Sequence, residues 1–93
     1  MDFEWDERKS RENLAERGID FQKGVQVFLD PFRKEGEDTR RDYGETRMKT
    51  IGMVDGVELT VVYTLRAENI RIISVRRASR HERRIYHTRE ASS

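Results

Sequence analysis

The sequence has 93 residues, of which 40% are charged and 34% hydrophobic, and it contains one proline and no cysteine. This composition predicts one small domain and excludes disulfides and zinc-thiolate sites. No apolar run exceeds three residues, whereas a membrane-spanning helix needs about 20, and the start Met1-Asp2-Phe3-Glu4 lacks the cationic segment of a signal peptide. We therefore expect a cytoplasmic chain without membrane contact.

The two signs of charge are unevenly distributed along the chain. Residues 1–65 carry 11 basic and 15 acidic side chains, net −4, whereas residues 66–93 carry eight arginines and three glutamates, net +5. Arginine binds phosphate and carboxylate through two parallel hydrogen bonds. The uneven charge distribution favours an anionic ligand near the last third of the chain. The alternative is a solvated surface whose charges screen one another.

The N-terminal third predicts a strand followed by two helices. The aromatic run at residues 3–5 favours a short strand. A first helix is predicted over Asp6–Arg17, with the aspartate as its N-cap and Gly18 as its end. Asp20 fits the N-cap of a second helix, in which apolar residues recur at helical spacing until the Asp30-Pro31 step ends it.

The middle of the chain predicts a loop and then three strands. Residues 32–45 are mostly charged and show no periodicity, which indicates an exposed loop. Strands are predicted at residues 46–53, 57–65 and 70–76, with a strong hairpin signal at Asp55-Gly56. Neighbouring strands joined by short turns form an antiparallel meander.

The last predicted element is a third helix that starts at the capping box Ser79-Arg80-His81-Glu82 and runs to about Arg89. Its apolar residues are Ile85 and Tyr86 alone, so we expect packing within the chain to hold it only weakly. The element order predicts an α+β fold. Its small antiparallel sheet consists of the three-strand meander plus a short N-terminal strand, with two N-terminal helices and one C-terminal helix.

Arginine is the side chain most available for chemistry. His81 and His87 point about 240° apart on a helix, and the sequence has no nucleophile motif and no glycine-rich phosphate loop. We therefore expect no metal and no cofactor. Strict alternation along the strand at 70–77 places Arg71 and Arg76 on opposite faces. Their alternative role is to pair with carboxylates at the rim of the sheet.

Four segments, in order, resemble the BrnT family of toxin proteins. They are Phe3-Glu4-Trp5-Asp6 followed by Lys9, Asn13-Leu14, Gly18 and Phe21; Asp30-Pro31; Gly44-Glu45-x-Arg47-x-x-x-Ile51-Gly52; and Ile70-Arg71-Ile72-Ile73-Ser74-x-Arg76-x-Ala78-x-x-x-Glu82-Arg83-x-x-Tyr86. The last segment is the most specific. The resemblance implies one BrnT-like domain over residues 1–93, with a fold similar to that of RelE-type ribonucleases.

The resemblance also implies a function and a partner. Members of this family are toxins of bacterial type II toxin-antitoxin systems, so we expect a metal-independent endoribonuclease that cleaves RNA and blocks translation. The implied partner is a ribbon-helix-helix antitoxin of the BrnA type, in a heterotetramer built on the antitoxin dimer. DNA would be contacted only through that antitoxin.

Metal-free RNA cleavage needs cations around the phosphate that the neighbouring 2′-hydroxyl attacks. Resemblance and chemistry together predict catalytic roles for Arg71, Arg76, Arg47, Lys9, Arg17 and Tyr86. Four further cations are predicted to bind RNA: Arg77, Lys49, Arg80 and Arg83. Other roles are predicted for Glu82 as a helix cap, for Trp5, Phe21 and Phe28 in the core, and for Tyr43 and Tyr63 in base stacking, with packing as the alternative for Tyr63.

One position departs from the family pattern. The family usually carries Lys-His-Gly at the end of the first helix, where this sequence has Glu16-Arg17-Gly18. Histidine exchanges protons near neutral pH, whereas arginine stays protonated. The alternative function is therefore a non-catalytic module that binds RNA or a partner. A small DNA-binding regulator is disfavoured because no helix-turn-helix pattern is present.

Overall fold

A computed structural model describes residues 2–39, 42 and 44–88. Its elements in chain order are β1 (Phe3–Glu4), α1 (Glu7–Arg17), α2 (Phe21–Val25), a 3-10 helix (Gln26–Leu29), β2 (Lys34–Glu37), β3 (Met48–Val54), β4 (Val57–Arg66), β5 (Asn69–Arg77) and α3 (Arg80–His87). Within these residues, no helix has the length and apolar content needed to cross a membrane. Tyr43 and the predicted end of the third helix at Arg89 lie outside the described residues.

The α+β class and the three helices agree with the prediction, but the predicted sheet is wrong. The sheet has five strands in the order β1-β5-β4-β3-β2. The strand β1 runs parallel to β5, and the other neighbouring pairs are antiparallel. The molecule therefore contains a five-stranded mixed sheet instead of a small antiparallel meander with one added strand.

The strand β2 lies inside the segment that was predicted to be a loop. Its sequence, Lys34-Glu35-Gly36-Glu37, has no apolar side chain and so carries no period-two hydrophobic signal. The strand forms because its backbone pairs with β3, from Lys34 opposite Ile51 to Glu37 opposite Met48. Charged side chains are also what protects the exposed edge of a sheet from pairing with other chains.

The helix and hairpin boundaries follow the predicted caps and turns. The Asp6 carboxylate accepts the backbone N–H of Arg8 at 2.9 Å, and Gly18 ends α1 in the left-handed conformation. Asp55 and Gly56 both have positive φ angles, as a tight hairpin between β3 and β4 requires. The second α-helix ends at Val25, earlier than predicted, and the chain continues as a 3-10 helix from Gln26 to Leu29.

The helices α1 and α2 and the 3-10 helix lie against one face of the sheet. Phe21 and Val27 are buried there among the side chains Leu59, Val61, Tyr63, Ile70, Ile72 and Val75. A Cβ atom at Gly24 would lie 2.5 Å from a methyl group of Val75, so glycine lets α2 approach β5 closely. Trp5 and Phe28 pack against this cluster. The predicted core roles of Trp5, Phe21 and Phe28, and the packing alternative for Tyr63, are thus confirmed.

A bulge in β5 decides which side chains share a face of the sheet. On β4, Val62 and Tyr63 are consecutive, but their partners on β5 are Ser74 and Ile72. Ile73 is therefore an extra residue on its strand, and such an insertion shifts the alternation of side chains by one.

The bulge overturns the predicted placement of the two strand arginines. Because the alternation shifts at Ile73, Arg71 and Arg76 lie on the same face, opposite Thr64 and Thr60 of β4 respectively. We call this the α3 face, because Glu82 of α3 contacts Thr60 and Arg76 there, and the other face carries the apolar cluster that the N-terminal helices cover. The shift brings Val75 onto that apolar face.

Candidate functional site

A cationic cleft of about 180 Å³ lies on the α3 face, near the hairpin that joins β4 to β5. Four cationic side chains line it: Lys9 from α1, Arg47 from the segment before β3, Arg66 from the end of β4, and Arg71 from β5. The other polar lining residues are Asp6, Glu45 and Thr64. Segments that are distant in sequence thus bring three of the predicted catalytic residues, Lys9, Arg47 and Arg71, to one place.

Arg71 is oriented by the neighbouring parallel strand. Glu4 lies directly opposite it on β1, and the Arg71 Nη1 donates to the Glu4 Oε2 at 3.0 Å. The Asn69 amide donates to the other oxygen of Glu4 at 3.2 Å. The hydrogen bonds from Asn69 and Arg71 hold the pKa of Glu4 below its usual value. The ionised Glu4 therefore steers a guanidinium that remains 28% exposed and accessible from the cleft.

Arg47 lines the same cleft from the segment before β3. Its Nε lies 3.6 Å from the Glu45 Oε2, and its carbonyl accepts the backbone N–H of Asp38 at 2.7 Å. The side chain is 26% exposed. The Arg47 guanidinium and the Glu45 carboxylate are therefore neighbours in the lining of the cleft.

Arg76 lies on the same face but is bound to a buried carboxylate. Its guanidinium donates to both oxygens of Glu82, at 2.6 and 2.8 Å, and the Lys49 ammonium lies 3.2 Å from Glu82. The Thr60 hydroxyl and the Ser79 N–H also donate to this carboxylate, at 3.0 and 2.8 Å. We call this set, built on the 4% exposed side chain of Glu82, the Glu82 cluster.

The charge state of Glu82 follows from these donors. Burial by itself raises the pKa of the carboxyl group. The hydrogen bonds from Arg76, Ser79 and Thr60 outweigh burial and hold the pKa of Glu82 far below its ordinary value of 4.5. The predicted capping role is confirmed, since Ser79 and Glu82 form the reciprocal capping box of α3.

The family described as "Ribonuclease toxin, BrnT, of type II toxin-antitoxin system" matches residues 5–82. This chain belongs to the BrnT family. It is therefore a ribonuclease toxin of a type II toxin-antitoxin system, and the partner of such a toxin is an antitoxin. The matched span contains all the lining residues of the cationic cleft and the whole Glu82 cluster. No match was found among curated proteins.

The third helix of this BrnT toxin is anchored by polar contacts in addition to the weak apolar packing that was expected, since Ile85 is exposed and no residue of α3 belongs to the apolar cluster. The Glu82 cluster fixes its first turn. In its last turn, the Tyr86 hydroxyl donates to the Asp30 Oδ2 at 2.5 Å, and the His87 Nε2 lies 2.6 Å from the Glu58 Oε2. The prediction counted apolar side chains only and missed these ion pairs and hydrogen bonds, which tie the helix to distant segments.

Tyr86 lies away from the cationic cleft of the toxin. Burial and the Asp30 carboxylate raise the pKa of Tyr86 to about 12, so its hydroxyl stays protonated near neutral pH. Asp30 also accepts the backbone N–H groups of Met53 and Phe32, at 2.8 and 2.9 Å. The tyrosine thus belongs to a network at the β3 side of the sheet.

The remaining predicted residues do not line the cleft. Arg17 is the last residue of α1, about 12 Å along the helix axis from Lys9. Arg77 and Arg80 are exposed, and Arg83 donates to the carbonyl of Ala78 at 2.9 Å. In the described ranges 2–39, 42 and 44–88, no three carboxylate or imidazole groups are placed to hold a metal ion.

Sequence reasoning missed three residues of the cleft and its surroundings. Arg66 stands next to a turn, where an arginine is ordinary and gives no signal. Glu4 gains its role only from the parallel pairing of β1 with β5. Glu45 lies within the segment Gly44-Glu45-x-Arg47 that resembles the family. That segment predicted a catalytic role for Arg47 and could have indicated Glu45 as well.

Acid should destabilise this toxin through its low-pKa carboxylates. Because the folded-state pKa of Glu82 lies below the ordinary 4.5, its stabilising contribution is complete above that pH and is lost as the pH falls below it. Glu4, Asp30 and Glu58 are shifted in the same direction. We expect urea midpoints to fall steadily between about pH 4.5 and 3, and to fall less steeply in Glu82→Gln. Equal slopes in the two proteins would show that Glu82 contributes nothing to the acid response.

Proposed function

We propose that this toxin is a metal-independent endoribonuclease whose active site is the cationic cleft. The observation that carries the proposal is the convergence of Lys9, Arg47, Arg66 and Arg71 around one small cleft. The pentavalent state of a phosphodiester carries more negative charge on its oxygens than the ground state does. Cations fixed in advance around it therefore lower the barrier without a metal ion.

The proposed reaction is an internal transfer within the RNA. The 2′-oxygen attacks the adjacent phosphorus, and its proton passes to the Glu45 carboxylate, which stands beside Arg47 at the wall of the cleft. The bond from phosphorus to the 5′-oxygen breaks, and the leaving oxygen takes a proton from the Lys9 ammonium. Arg47 and Arg71 bind the non-bridging oxygens throughout. The products are a 2′,3′-cyclic phosphate end and a 5′-hydroxyl end.

Other predicted catalytic residues receive different roles in this proposal. Arg76 and Tyr86 do not line the cleft, and they are bound by Glu82 and Asp30 respectively. We assign both to holding α3 on the sheet. Arg77 and Arg80 remain predictions for binding RNA outside the cleft, and Arg17 has no role in the cleavage step.

RNA cleavage should persist in excess EDTA, because the charges that stabilise the transition state are supplied by side chains. The test is incubation of the purified toxin, freed of its antitoxin, with a defined RNA, followed by analysis of the product ends. Cyclic or 3′-phosphate ends with undiminished rate are expected. Ends that carry a 3′-hydroxyl, or activity abolished by the chelator and restored by a divalent metal, would contradict the mechanism.

The wider biological role is proposed on the family assignment. As a toxin of a type II system, this chain would act in the cytoplasm and block translation by cleaving RNA. Its neutralising partner would be a ribbon-helix-helix antitoxin of the BrnA type, in a heterotetramer that contacts DNA through the antitoxin alone. Light scattering and native mass spectrometry of the copurified complex would test the stoichiometry.

One observation favours the alternative of RNA binding without cleavage. No histidine is present among the described residues that line the cleft, so proton transfer near neutral pH has no group with an ordinary pKa in that range. In that case the toxin would retard a labelled RNA in a native gel and leave it intact over hours. Cleavage of the same RNA decides against this alternative.

A further inference from the structure

Two large apolar side chains are exposed three positions apart in sequence and lie away from the cationic cleft. Leu29 is 78% exposed and Phe32 is 74% exposed, on either side of Asp30-Pro31. Only 34% of the residues in this chain are hydrophobic. A large apolar patch left on the surface of so polar a protein is typical of an interaction site.

These side chains border a groove between the 3-10 helix and α3. Two adjoining hollows of about 780 and 500 Å³ share the lining residues Pro31, Phe32, Met53 and Tyr86. Leu29 lines the smaller hollow. We call the surface formed by Leu29, Pro31, Phe32, Met53 and Tyr86 the apolar groove.

The apolar groove is rigidly built by one carboxylate beneath it. Asp30 accepts the N–H of Phe32, the N–H of Met53 and the hydroxyl of Tyr86, at 2.9, 2.8 and 2.5 Å. Three separate segments are thereby fixed relative to one another. A partner that binds such a preformed groove loses less free energy to ordering than one that must create it.

The charged side chains that line the larger hollow are the cations Arg33 and Lys34, and none of its described lining residues is acidic. The carboxylates of the groove, Asp30 and Asp55, line the smaller hollow. An apolar floor with cations at the larger hollow fits an amphipathic segment that carries leucine-like or aromatic anchors and places acidic neighbours on that side. The residues of this chain that follow Thr88 include one alanine and no larger apolar side chain, so they lack such an anchor.

We propose that the apolar groove is the docking site for an acidic, amphipathic segment of the antitoxin. This inference rests on the toxin assignment made above. The groove and the cationic cleft lie at opposite ends of β4: Met53 pairs with Glu58 at one end, and Arg66 lines the cleft at the other, about 26 Å away. The antitoxin would anchor on the groove and reach the cleft with another part of its chain.

The decisive variant is Leu29→Ser with Phe32→Ser. Titration calorimetry with the purified antitoxin of the BrnA type should show affinity weakened at least about 30-fold. Apolar anchors that become buried in a complex contribute a large share of its binding free energy. Lys34→Glu should weaken binding by about fivefold through charge repulsion with the acidic segment. RNA cleavage by the free variants should stay within about twofold of wild type, because these residues lie outside the cleft.

Leu14→Ser is the matched control, since Leu14 is 47% exposed on α1 and does not line the groove. It should bind the antitoxin as wild type does. Unchanged affinity in the double serine variant, with unchanged melting temperature, would overturn the docking proposal. The docking proposal would also be overturned if the wild-type toxin self-associates and the double serine variant does not, because the groove would then bind a second copy of this chain. Failure of cleavage with antitoxin binding intact would overturn the ribonuclease mechanism alone.

Discussion

Arg71→Ala should lower the rate of RNA cleavage at least tenfold while the toxin stays folded. Loss of one fixed donor to a charged transition state typically costs about 2.7–4 kcal/mol, which is a hundredfold or more in rate. Because the Arg71 side chain is 28% exposed, solvent screens part of this effect, and tenfold is the expected minimum. The measurement is the single-turnover rate on a defined RNA, with the melting temperature recorded for each variant.

Two further variants make the Arg71 experiment specific. Arg8→Ala removes the same charge from the exposed side of α1, where Arg8 pairs with Glu12 outside the cleft. It should cleave RNA at the wild-type rate. Arg71→Lys keeps the charge but loses the planar fork, so it should recover only part of the activity. An Arg71→Ala protein that melts normally and cleaves as wild type does would remove this residue from the proposed site.

Glu82→Gln should lower the free energy of unfolding by about 3 kcal/mol at pH 7. Removing one partner of a buried ion pair costs about 3–5 kcal/mol, because the remaining charge is left without its partner. The lower end applies here, because Arg76 is 24% exposed and solvent can hydrate it. The total free energy of unfolding of a small domain is about 5–15 kcal/mol, so urea denaturation should detect the loss readily.

Two variants serve as controls for the Glu82 experiment. One breaks an exposed ion pair, and the other removes Arg76, the partner of Glu82. Glu12→Gln breaks an exposed pair with Arg8 and should cost no more than about 0.5 kcal/mol. Arg76→Ala should lose stability and cleavage activity together, as expected of a residue that holds α3 on the sheet. If Glu82→Gln unfolds at the wild-type urea concentration, or Arg76→Ala loses activity without any loss of stability, the structural role proposed for the Glu82 cluster is wrong.

The helix boundaries and the main hairpin could be predicted because they depend on residues close together in the chain. A cap such as Asp6, the left-handed Gly18 and the Asp55-Gly56 turn each satisfy backbone groups within a few residues of themselves. The capping box of α3 is equally local, since Ser79 and Glu82 are three residues apart. The ordered resemblance added the family, and with it the cations Lys9, Arg47 and Arg71.

The sheet and the arrangement of the site were decided by contacts between distant segments. The strand β2 has no hydrophobic period and exists because β3 offers its backbone as a partner. The extra residue Ile73 is invisible in the strand's own sequence, yet it moves Arg71 and Arg76 onto one face. Alternation alone predicts opposite faces for them, since local sequence contains no information about register with β4.

The sequence by itself thus determined the family, the class of chemistry and the cations that could serve it. Only the tertiary structure decided which of these cations share a cleft and which carboxylate lies beside each of them. Lys9, Arg47 and Arg71 meet there with Arg66, whereas Arg76 and Lys49 are held by Glu82 outside the cleft. The physical reason is that an arginine's role depends on the nearest anion in space, and for Arg71 and Arg76 that anion belongs to another strand or helix.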